Sequence, residues 1–300
     1  MADTTLKGVL SLCAGVFVFS IQDALLKSIS GTYPVTEALV FRAIVATPIL
    51  LFLIWRGAGF AAVPRHMGFL IVRAIILFLA YASYYLAFPA LPLADAVALY
   101  FTVPLFVVVL AGPYLGEHSN WKVWAAILIG LAGVAVMLRP GEGLFEPAAL
   151  LSLFAAATYA LSQLMARKVG SETSGEVLAL YQNTVFLVMA LSLAGLFALL
   201  GIQDAAHPSV KFLVRPWSMP TLLDGFIMGA CGVVASAGMV LLVNGYRYAA
   251  ANTAAAFEYT GLIWLTLWGW TIFEEVPQAS TLLGAGLIVI AGMVALRARN

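Results

Sequence analysis

Long apolar stretches separated by short polar segments run through the whole chain. A membrane-spanning helix needs about 20 mostly apolar residues, because lipid offers its backbone no hydrogen-bond partners. Ten stretches come close to this length, which predicts an all-α membrane protein with ten transmembrane helices. The predicted spans are Leu6–Ser28, Val35–Trp55, Gly68–Phe88, Leu93–Gly112, Trp121–Leu138, Pro147–Lys168, Glu176–Leu200, Thr221–Arg247, Asn252–Phe273 and Thr281–Leu296.

The composition agrees with a membrane protein and excludes several partners. Hydrophobic residues make up 63% of the 300 positions and charged residues 10%. Soluble domains average about 45–50% hydrophobic residues and about 25% charged residues. The 15 basic and 14 acidic residues nearly balance, which excludes a nucleic-acid partner because that affinity needs clustered cations. The sequence contains no Walker motif, so ATP binding is not predicted. Cys13 and Cys231 do not have the spacing of metal ligands. We therefore expect a lipid environment, a small-molecule substrate, no ATP, no metal and no cofactor.

The distribution of Lys and Arg predicts an orientation. With the N-terminus inside, ten of the 15 basic residues lie on the cytoplasmic side. Both termini are therefore predicted to be cytoplasmic, in the inner (plasma) membrane. Arg42 and Arg73 fall within predicted spans, where we expect their side chains to snorkel to the headgroups. The long linker Gly201–Pro220 is predicted to be an interfacial loop.

The two halves of the chain resemble each other. Leu10–Lys27 aligns with Leu151–Lys168. The alignment pairs Gln22 with Gln163 and Lys27 with Lys168. Five spans per half is an odd number, so the second repeat enters the membrane from the opposite side and is inverted. Inverted repeats place a binding site near the midplane and permit alternating access. The predicted domains are residues 1–143 and residues 144–300.

Two segments resemble the ten-helix, EamA-type members of the drug/metabolite transporter superfamily. They are Ala94–Glu117, with Pro104 inside the fourth span, and Ala251–Glu275, with Gly261 roughly where many members have proline. The resemblance implies a central cavity lined by spans one, three, four, six, eight and nine, and it makes Pro104 and Gly261 candidate hinges. Known members export amino acids and other metabolites, or move nucleotide sugars, purines and phosphorylated sugars. The aromatic-rich cavity spans point to the YddG-type amino-acid exporter branch.

Polar residues inside apolar spans are the candidate site residues, because each costs roughly 2.5–3.5 kcal/mol unless it faces protein or water. Glu258 is expected about two turns into the ninth span, with no basic residue within helical reach. We predict that it couples protons or contacts a substrate ammonium group. The alternatives are a structural hydrogen bond to a neighbouring helix or a position nearer the membrane interface. Asp23 is a second candidate for proton coupling, unless it pairs with Lys27 one turn on. Gln22 and Gln163 are predicted to face each other across the cavity.

Aromatic residues of the same spans complete the predicted cavity. Tyr81 and Tyr85 are four residues apart and therefore share a helix face. We expect them to form a wall suited to apolar side chains, although the interfacial aromatic belt is the alternative for such residues. The remaining members of the predicted wall are Tyr100, Phe257, Tyr259 and Trp264.

The predicted function is secondary transport, with export of amino acids that carry aromatic or other apolar side chains. The scarcity of central Lys and Arg argues against dianionic solutes, but an importer or exchanger of a nucleobase, nucleotide sugar or sugar phosphate stays open. A membrane-embedded enzyme is the alternative from another class, and no nucleophile–base pair or HExxH motif supports it. The pattern carries no signal for coupling ion, resting conformation or oligomeric state.

Overall fold

The computed structural model describes residues 2–57, 66–116, 121–138, 146–169, 173–249, 257–258, 260–276 and 278–297. Within these ranges the chain is helical and contains no strand. The helices are α1 (Ala2–Ile29), α2 (Val35–Arg56), α3 (Met67–Ala87), α4 (Leu93–Tyr100), α5 (Val103–Leu115), α6 (Trp121–Leu138), α7 (Ala148–Val169), α8 (Gly175–Leu200), α9 (Pro208–Val214), α10 (Leu222–Tyr248), α11 (Thr260–Phe273) and α12 (Ala279–Arg297).

Six helices within the described ranges are long and apolar enough to cross a membrane, namely α1, α2, α3, α7, α8 and α10. Four further apolar helices are shorter and overlap the fourth, fifth, ninth and tenth predicted spans. Their apolar segments are Leu105–Leu115, Trp124–Gly133, Thr260–Phe273 and Ala279–Ala291. The prediction of an all-α protein is confirmed, and six spans have the predicted length and apolar character.

The fourth predicted span, Leu93–Gly112, is not one continuous helix. Phe101 and Thr102 separate α4 from α5. Pro104 explains the interruption: it has no N–H, so a continuous helix would leave the Tyr100 carbonyl without its partner four residues on. As the second residue of α5, Pro104 instead occupies a position whose N–H has no intrahelical acceptor anyway.

The helices pack mainly in pairs drawn from the two halves of the chain. The most extensive contacts join α1 to α10, α6 to α12, α3 to α7 and α2 to α8. Further contacts join α1 to α11, α5 to α7, α3 to α8 and α2 to α10. The main buried core consequently lies between the first and the second half, and it contains side chains from both.

Glycines on α10 allow this helix to approach its neighbours closely. A Cβ atom added to Gly238 would lie 2.6 Å from the ring of Phe19, and one added to Gly232 would lie 2.6 Å from the carbonyl oxygen of Arg42. Small residues at such positions bring helix backbones together and increase their dispersion contacts. The close packing of α10 against α1 and α2 therefore depends on glycine, which has no side chain, at these two positions.

The segment predicted to be an interfacial loop contains the short helix α9 and is fastened to the start of α2. Trp217 donates a hydrogen bond from Nε1 to Oγ1 of Thr36 at 3.0 Å, and the Ser218 amide donates to Oε2 of Glu37 at 3.2 Å. These bonds hold the segment over the end of the bundle where α1 finishes and α2 begins. The predicted orientation places this end outside, and we refer to it as the outer end.

An exposed ion pair in the same segment contrasts with the buried contacts. Lys211 lies 3.2 Å from Oδ1 of Asp204, and 48% and 73% of the two side chains are exposed. The hydrogen bond from Lys211 lowers the pKa of the Asp204 carboxyl. Exposed pairs of this kind contribute little to stability because water screens them.

Gly232→Ala is expected to lower the thermal unfolding midpoint of the purified protein in detergent. The added Cβ would lie 2.6 Å from both the Arg42 carbonyl oxygen and the Val45 Cβ, and overpacking a core usually costs about 1–3 kcal/mol. Gly229→Ala, one turn earlier, is the matched control, because the nearest atom to its added Cβ is 4.0 Å away. Equal midpoints for the two variants would contradict the close packing of α2 and α10.

Candidate functional site

A central cavity of about 60 Å³ lies between the two halves of the chain. Its wall comes from α1, α3, α4, α7, α10, the α4–α5 interruption and the first turns of α11, which belong to the six spans that the family resemblance implies. The space holds a few water molecules but not a metabolite. The lining residues are Val16, Phe19, Ser20, Asp23, Tyr81, Tyr84, Tyr100, Phe101, Tyr159, Leu242, Glu258, Gly261 and Leu265.

Glu258 is one of two carboxylates in the cavity wall. Its Oε1 atom accepts hydrogen bonds from the hydroxyls of Tyr246 at 2.9 Å and Tyr159 at 3.1 Å, and the residue is only 4% exposed. The sequence places Glu258 two turns inside a helix, whereas it lies in a turn directly before α11. Within the described ranges, no Lys, Arg or His forms an ion pair with it.

Asp23 on α1 is the second carboxylate of the wall. Its Oδ2 atom accepts a hydrogen bond from the hydroxyl of Tyr84 at 3.2 Å, and the residue is 7% exposed. The alternative pairing with Lys27 does not occur, because the Lys27 ammonium instead pairs with Glu275. Phenols thus hold both cavity carboxylates, and a phenol supplies one donor without bringing a positive charge.

The tyrosines of α3 are buried inside the protein and do not face lipid. Tyr81 is 8% exposed and Tyr85 is fully buried. The Tyr81 ring lies 5.7 Å from Phe19, 5.6 Å from Phe186 and 6.3 Å from Tyr159 between ring centroids. These distances are typical of packed aromatic pairs, so Tyr81 sits at the centre of an aromatic cluster on the cavity wall.

Several predicted site residues lie outside this wall. Gln22 is fully buried and donates from Nε2 to the Tyr85 hydroxyl, while Gln163 is 2% exposed. Neither glutamine lines the cavity, so they do not face each other across it. Phe257 packs against the core, Trp264 packs edge-on against Phe17 at 4.7 Å, and Tyr259 lies outside the described residues.

Five polar or aromatic members of the wall were not predicted from the sequence, namely Phe19, Ser20, Tyr84, Phe101 and Tyr159. Tyr159 lies four residues before Gln163 on the same helix face, and this spacing could have identified it. Ser20 accepts a hydrogen bond from Nε1 of Trp268 at 3.0 Å. Phe101 reaches the cavity because the helix is interrupted there, which no local signal other than Pro104 indicates.

The expectation that Arg42 and Arg73 snorkel is wrong. Each residue is 1% exposed, and each is enclosed by neighbouring helices. Arg73 donates from Nε to the Ser162 carbonyl oxygen at 3.1 Å. The Arg42 guanidinium lies over the rings of Tyr81 at 5.5 Å and Phe186 at 5.2 Å. The interior beside the cavity therefore contains two cationic groups, Arg42 and Arg73, that were predicted to extend to the lipid headgroups.

The two candidate hinges lie close to the same interruption. Gly261 is the second residue of α11, and a Cβ atom there would lie 2.6 Å from the Phe101 ring and 2.9 Å from Val16. Only glycine fits this contact without a shift of the ring. Pro104 lies two residues beyond the interruption at Phe101 and Thr102. A hinge role for Pro104 and Gly261 stays a prediction.

A partly buried ionic cluster lies at the outer end of the bundle. The Lys27 ammonium binds Oε1 of Glu275, and Oε2 of Glu275 accepts a hydrogen bond at 3.0 Å from the Leu93 amide at the start of α4. Oδ1 of Asp95 accepts from Thr281 at 3.1 Å nearby. These bonds join the ends of α1, α4, α11 and α12 at the outer end of the bundle.

A bundle of apolar helices around a cavity with buried charges defines a membrane carrier. The chain belongs to the EamA-like transporter family, whose sequence profile matches residues 6–139 and again residues 146–297. The resemblance seen in the sequence is thereby confirmed. The protein is an integral membrane transporter of small metabolites and not an enzyme.

Relatives along the full length carry different solutes. The chain is 30% identical to the pseudopaline exporter CntI of Pseudomonas aeruginosa over 96% of this chain and 95% of that protein. It is 24% identical to the S-adenosylmethionine uptake transporter of Rickettsia bellii, over 94% of this chain and 92% of that protein. It is 27% identical to the riboflavin transporter of Vibrio cholerae, over 95% of this chain and 91% of that protein. A solved crystal structure shares the fold at 20% identity, with a TM-score of 0.71 over 100% and 99% of the two chains.

The double variant Tyr159→Phe/Tyr246→Phe is expected to lose more stability than the two single variants combined. Either phenol alone still satisfies Oε1 of Glu258, whereas removing both leaves a buried acceptor unpaired, which costs about 1–3 kcal/mol. Thermal unfolding of the four proteins of this cycle in detergent measures the difference. Tyr248→Phe on the same helix is the control, because Tyr248 is 49% exposed. Additive effects would mean that the two phenols do not share the carboxylate.

Proposed function

We propose that this protein exports amino acids with aromatic or other apolar side chains by alternating access of its central cavity. The observation that carries the proposal is a pair of carboxylates, Asp23 and Glu258, on a cavity wall that is otherwise mainly aromatic and aliphatic. The carboxylates suit the ammonium group of the solute, and the rings of Tyr81, Tyr100 and Phe101 suit its side chain.

The same carboxylates provide a route to proton coupling. A carboxylate in apolar surroundings is costly unless it is protonated or meets a cation. Phenol hydrogen bonds from Tyr159 and Tyr246 offset only part of that cost, since they carry no positive charge. A proton and a substrate ammonium therefore compete for Glu258. This competition amounts to antiport, in which a proton enters as the amino acid leaves.

Inverted repeats would explain the observed pattern of helix contacts. A two-fold exchange of the halves converts the α1–α10 pair into α7–α3, and the α1–α11 pair into α7–α5, while α2–α8 and α6–α12 map onto themselves. The family profile also matches the chain twice, and the proposed boundary between residues 143 and 144 falls between the two matches. On this basis we assign residues 1–143 and 144–300 to two inverted five-helix repeats.

The two ends of the bundle differ in the way that alternating access requires. Lys27 is held by Glu275 at the outer end, with 11% of its side chain exposed. Lys168, its partner in the repeat alignment, ends α7 at the opposite end, where it is exposed and lies 5.1 Å from the Tyr114 ring. This asymmetry supports a state that is closed on the outer side. The distribution of the basic residues supports an orientation in which that side faces away from the cytoplasm, in a cell inner membrane.

Uptake is the second candidate for the direction of transport. Relatives of similar identity are named as an exporter and as uptake transporters, so the family allows both. Import would use the same cavity, with the amino acid and the proton moving together. The proton dependence of the flux separates the two directions.

Proteoliposomes that contain the purified protein are expected to exchange an external labelled amino acid, such as phenylalanine or leucine, for the same unlabelled amino acid inside. Glu258→Gln is expected to reduce this counterflow by at least about tenfold without loss of folded protein, because it removes a charge-assisted contact to the ammonium. Glu146→Gln, which changes a half-exposed carboxylate paired with His207, is the matched control. Full counterflow in Glu258→Gln would contradict the assigned role. An absence of exchange with every amino acid, alongside exchange of a nucleobase or sugar phosphate, would overturn the proposed substrate.

A further inference from the structure

Arg42 on α2 is a buried cation whose outer nitrogen atoms have no acceptor. Nη1 and Nη2 are both buried, and neither has a hydrogen-bond partner among the described residues. A guanidinium keeps its charge in proteins and directs its N–H donors outward in one plane. Leaving such donors unpaired away from water is costly. A group that supplies two oxygen atoms in that plane would remove the cost.

The surroundings of Arg42 stabilise the charge but do not satisfy its donors. The rings of Tyr81 and Phe186 attract the cation through their faces, and Asp23 lies near enough to act on it electrostatically. None of these groups forms a salt bridge or hydrogen bond with its terminal nitrogens in the described part of the chain. Arg73 differs, because its Nε atom already donates to Ser162. Arg42 is thus the cation with two unmet terminal nitrogens beside the cavity.

Tyr81 lies next to both Arg42 and the cavity. Its ring lines the cavity on one side and lies 5.5 Å from the Arg42 guanidinium. The cavity of about 60 Å³ must enlarge before it can admit an amino acid. A rotation of the Tyr81 side chain would enlarge it and, in the same movement, uncover the guanidinium.

We infer that Arg42 is the binding site for the carboxylate group of the transported solute, reached when the Tyr81 ring moves aside. This assignment rests on the proposed amino-acid transport and identifies the second half of the recognition site. The solute then spans the cavity with its ammonium at Asp23 and Glu258 and its carboxylate at Arg42. A guanidinium binds a carboxylate through two parallel hydrogen bonds, which fixes the orientation of the solute as well as its charge.

The charges around the cavity favour a carboxylate over a phosphate. Both anions fit a guanidinium, but a phosphate monoester carries nearly two negative charges at neutral pH. Asp23 and Glu258 line the same cavity, and like charges within a few ångströms repel strongly in a medium of low dielectric constant. A zwitterion with one carboxylate and one ammonium leaves the site close to electrical balance. The inferred solute class is therefore the zwitterionic amino acid.

A comparison of an amino acid with its amide tests this inference by binding alone. The detergent-purified protein is titrated with L-phenylalanine and with L-phenylalaninamide, and the thermal unfolding midpoint gives an apparent affinity for each. The amide keeps the ammonium and the ring but lacks the carboxylate. We expect the acid to bind about 10- to 100-fold more tightly than the amide. Arg42→Gln should bring the affinity for the acid down to that for the amide.

Arg42→Lys keeps the charge but cannot form the two parallel hydrogen bonds, so this variant should show an intermediate preference for the acid. It replaces Arg42→Gln in the test if Arg42→Gln does not fold. Arg73→Lys is the matched control and should keep the full preference. Equal binding of acid and amide, binding of neither, or an undiminished preference in the Arg42 variants would overturn the inference. Arg42-dependent binding of the acid without counterflow in proteoliposomes would instead contradict the proposed transport and leave the carboxylate site supported.

Discussion

The structure depends on one constraint: a polar group removed from water and surrounded by lipid must find its partner within the protein. Glu258 meets this constraint through two phenols, Asp23 through one, and Lys27 through a carboxylate that also caps a helix. Because the partners come from different helices, each bond also fixes how those helices meet. Among the described residues, no group accepts a hydrogen bond from the terminal nitrogens of Arg42, and we infer that a solute carboxylate supplies this acceptor.

The central cavity follows from the way these bonds are distributed. Each of the two carboxylates in its wall accepts hydrogen bonds from tyrosine hydroxyls on other helices of its own half. One carboxylate comes from each half of the chain, and the cavity lies between the two halves. The helix interruption at Phe101 and the turn at Glu258 bring irregular backbone to the same cavity. Irregular backbone at membrane depth is tolerated where it is buried in protein or lines a cavity. Loops of this kind can change conformation at less cost than a continuous helix, which suits a site that must open and close.

The sequence predicted most of the helices because the apolar runs and their bounds are local properties. Glu258 and Asp23 were identified for the same reason, since a carboxylate in an apolar run is conspicuous. The partners of these residues were not predictable. Tyr159 contacts Glu258 across 99 residues, and Lys27 contacts Glu275 across 248, and no periodicity encodes such pairings. Arg42 was misjudged because burial by α8 and α10 cannot be read from α2 alone.

Access to the cavity from the outer side tests the central claim most directly. A cysteine-free protein with Ser20→Cys on the cavity wall is treated with a membrane-impermeant maleimide on the extracytoplasmic face. We expect slow labelling that becomes several-fold faster when Lys27→Met breaks the pair with Glu275. Lys211→Met, which removes an exposed pair at the same end, should leave the rate unchanged. Equal labelling of all three proteins would contradict a cavity that the Lys27–Glu275 cluster closes to the outside.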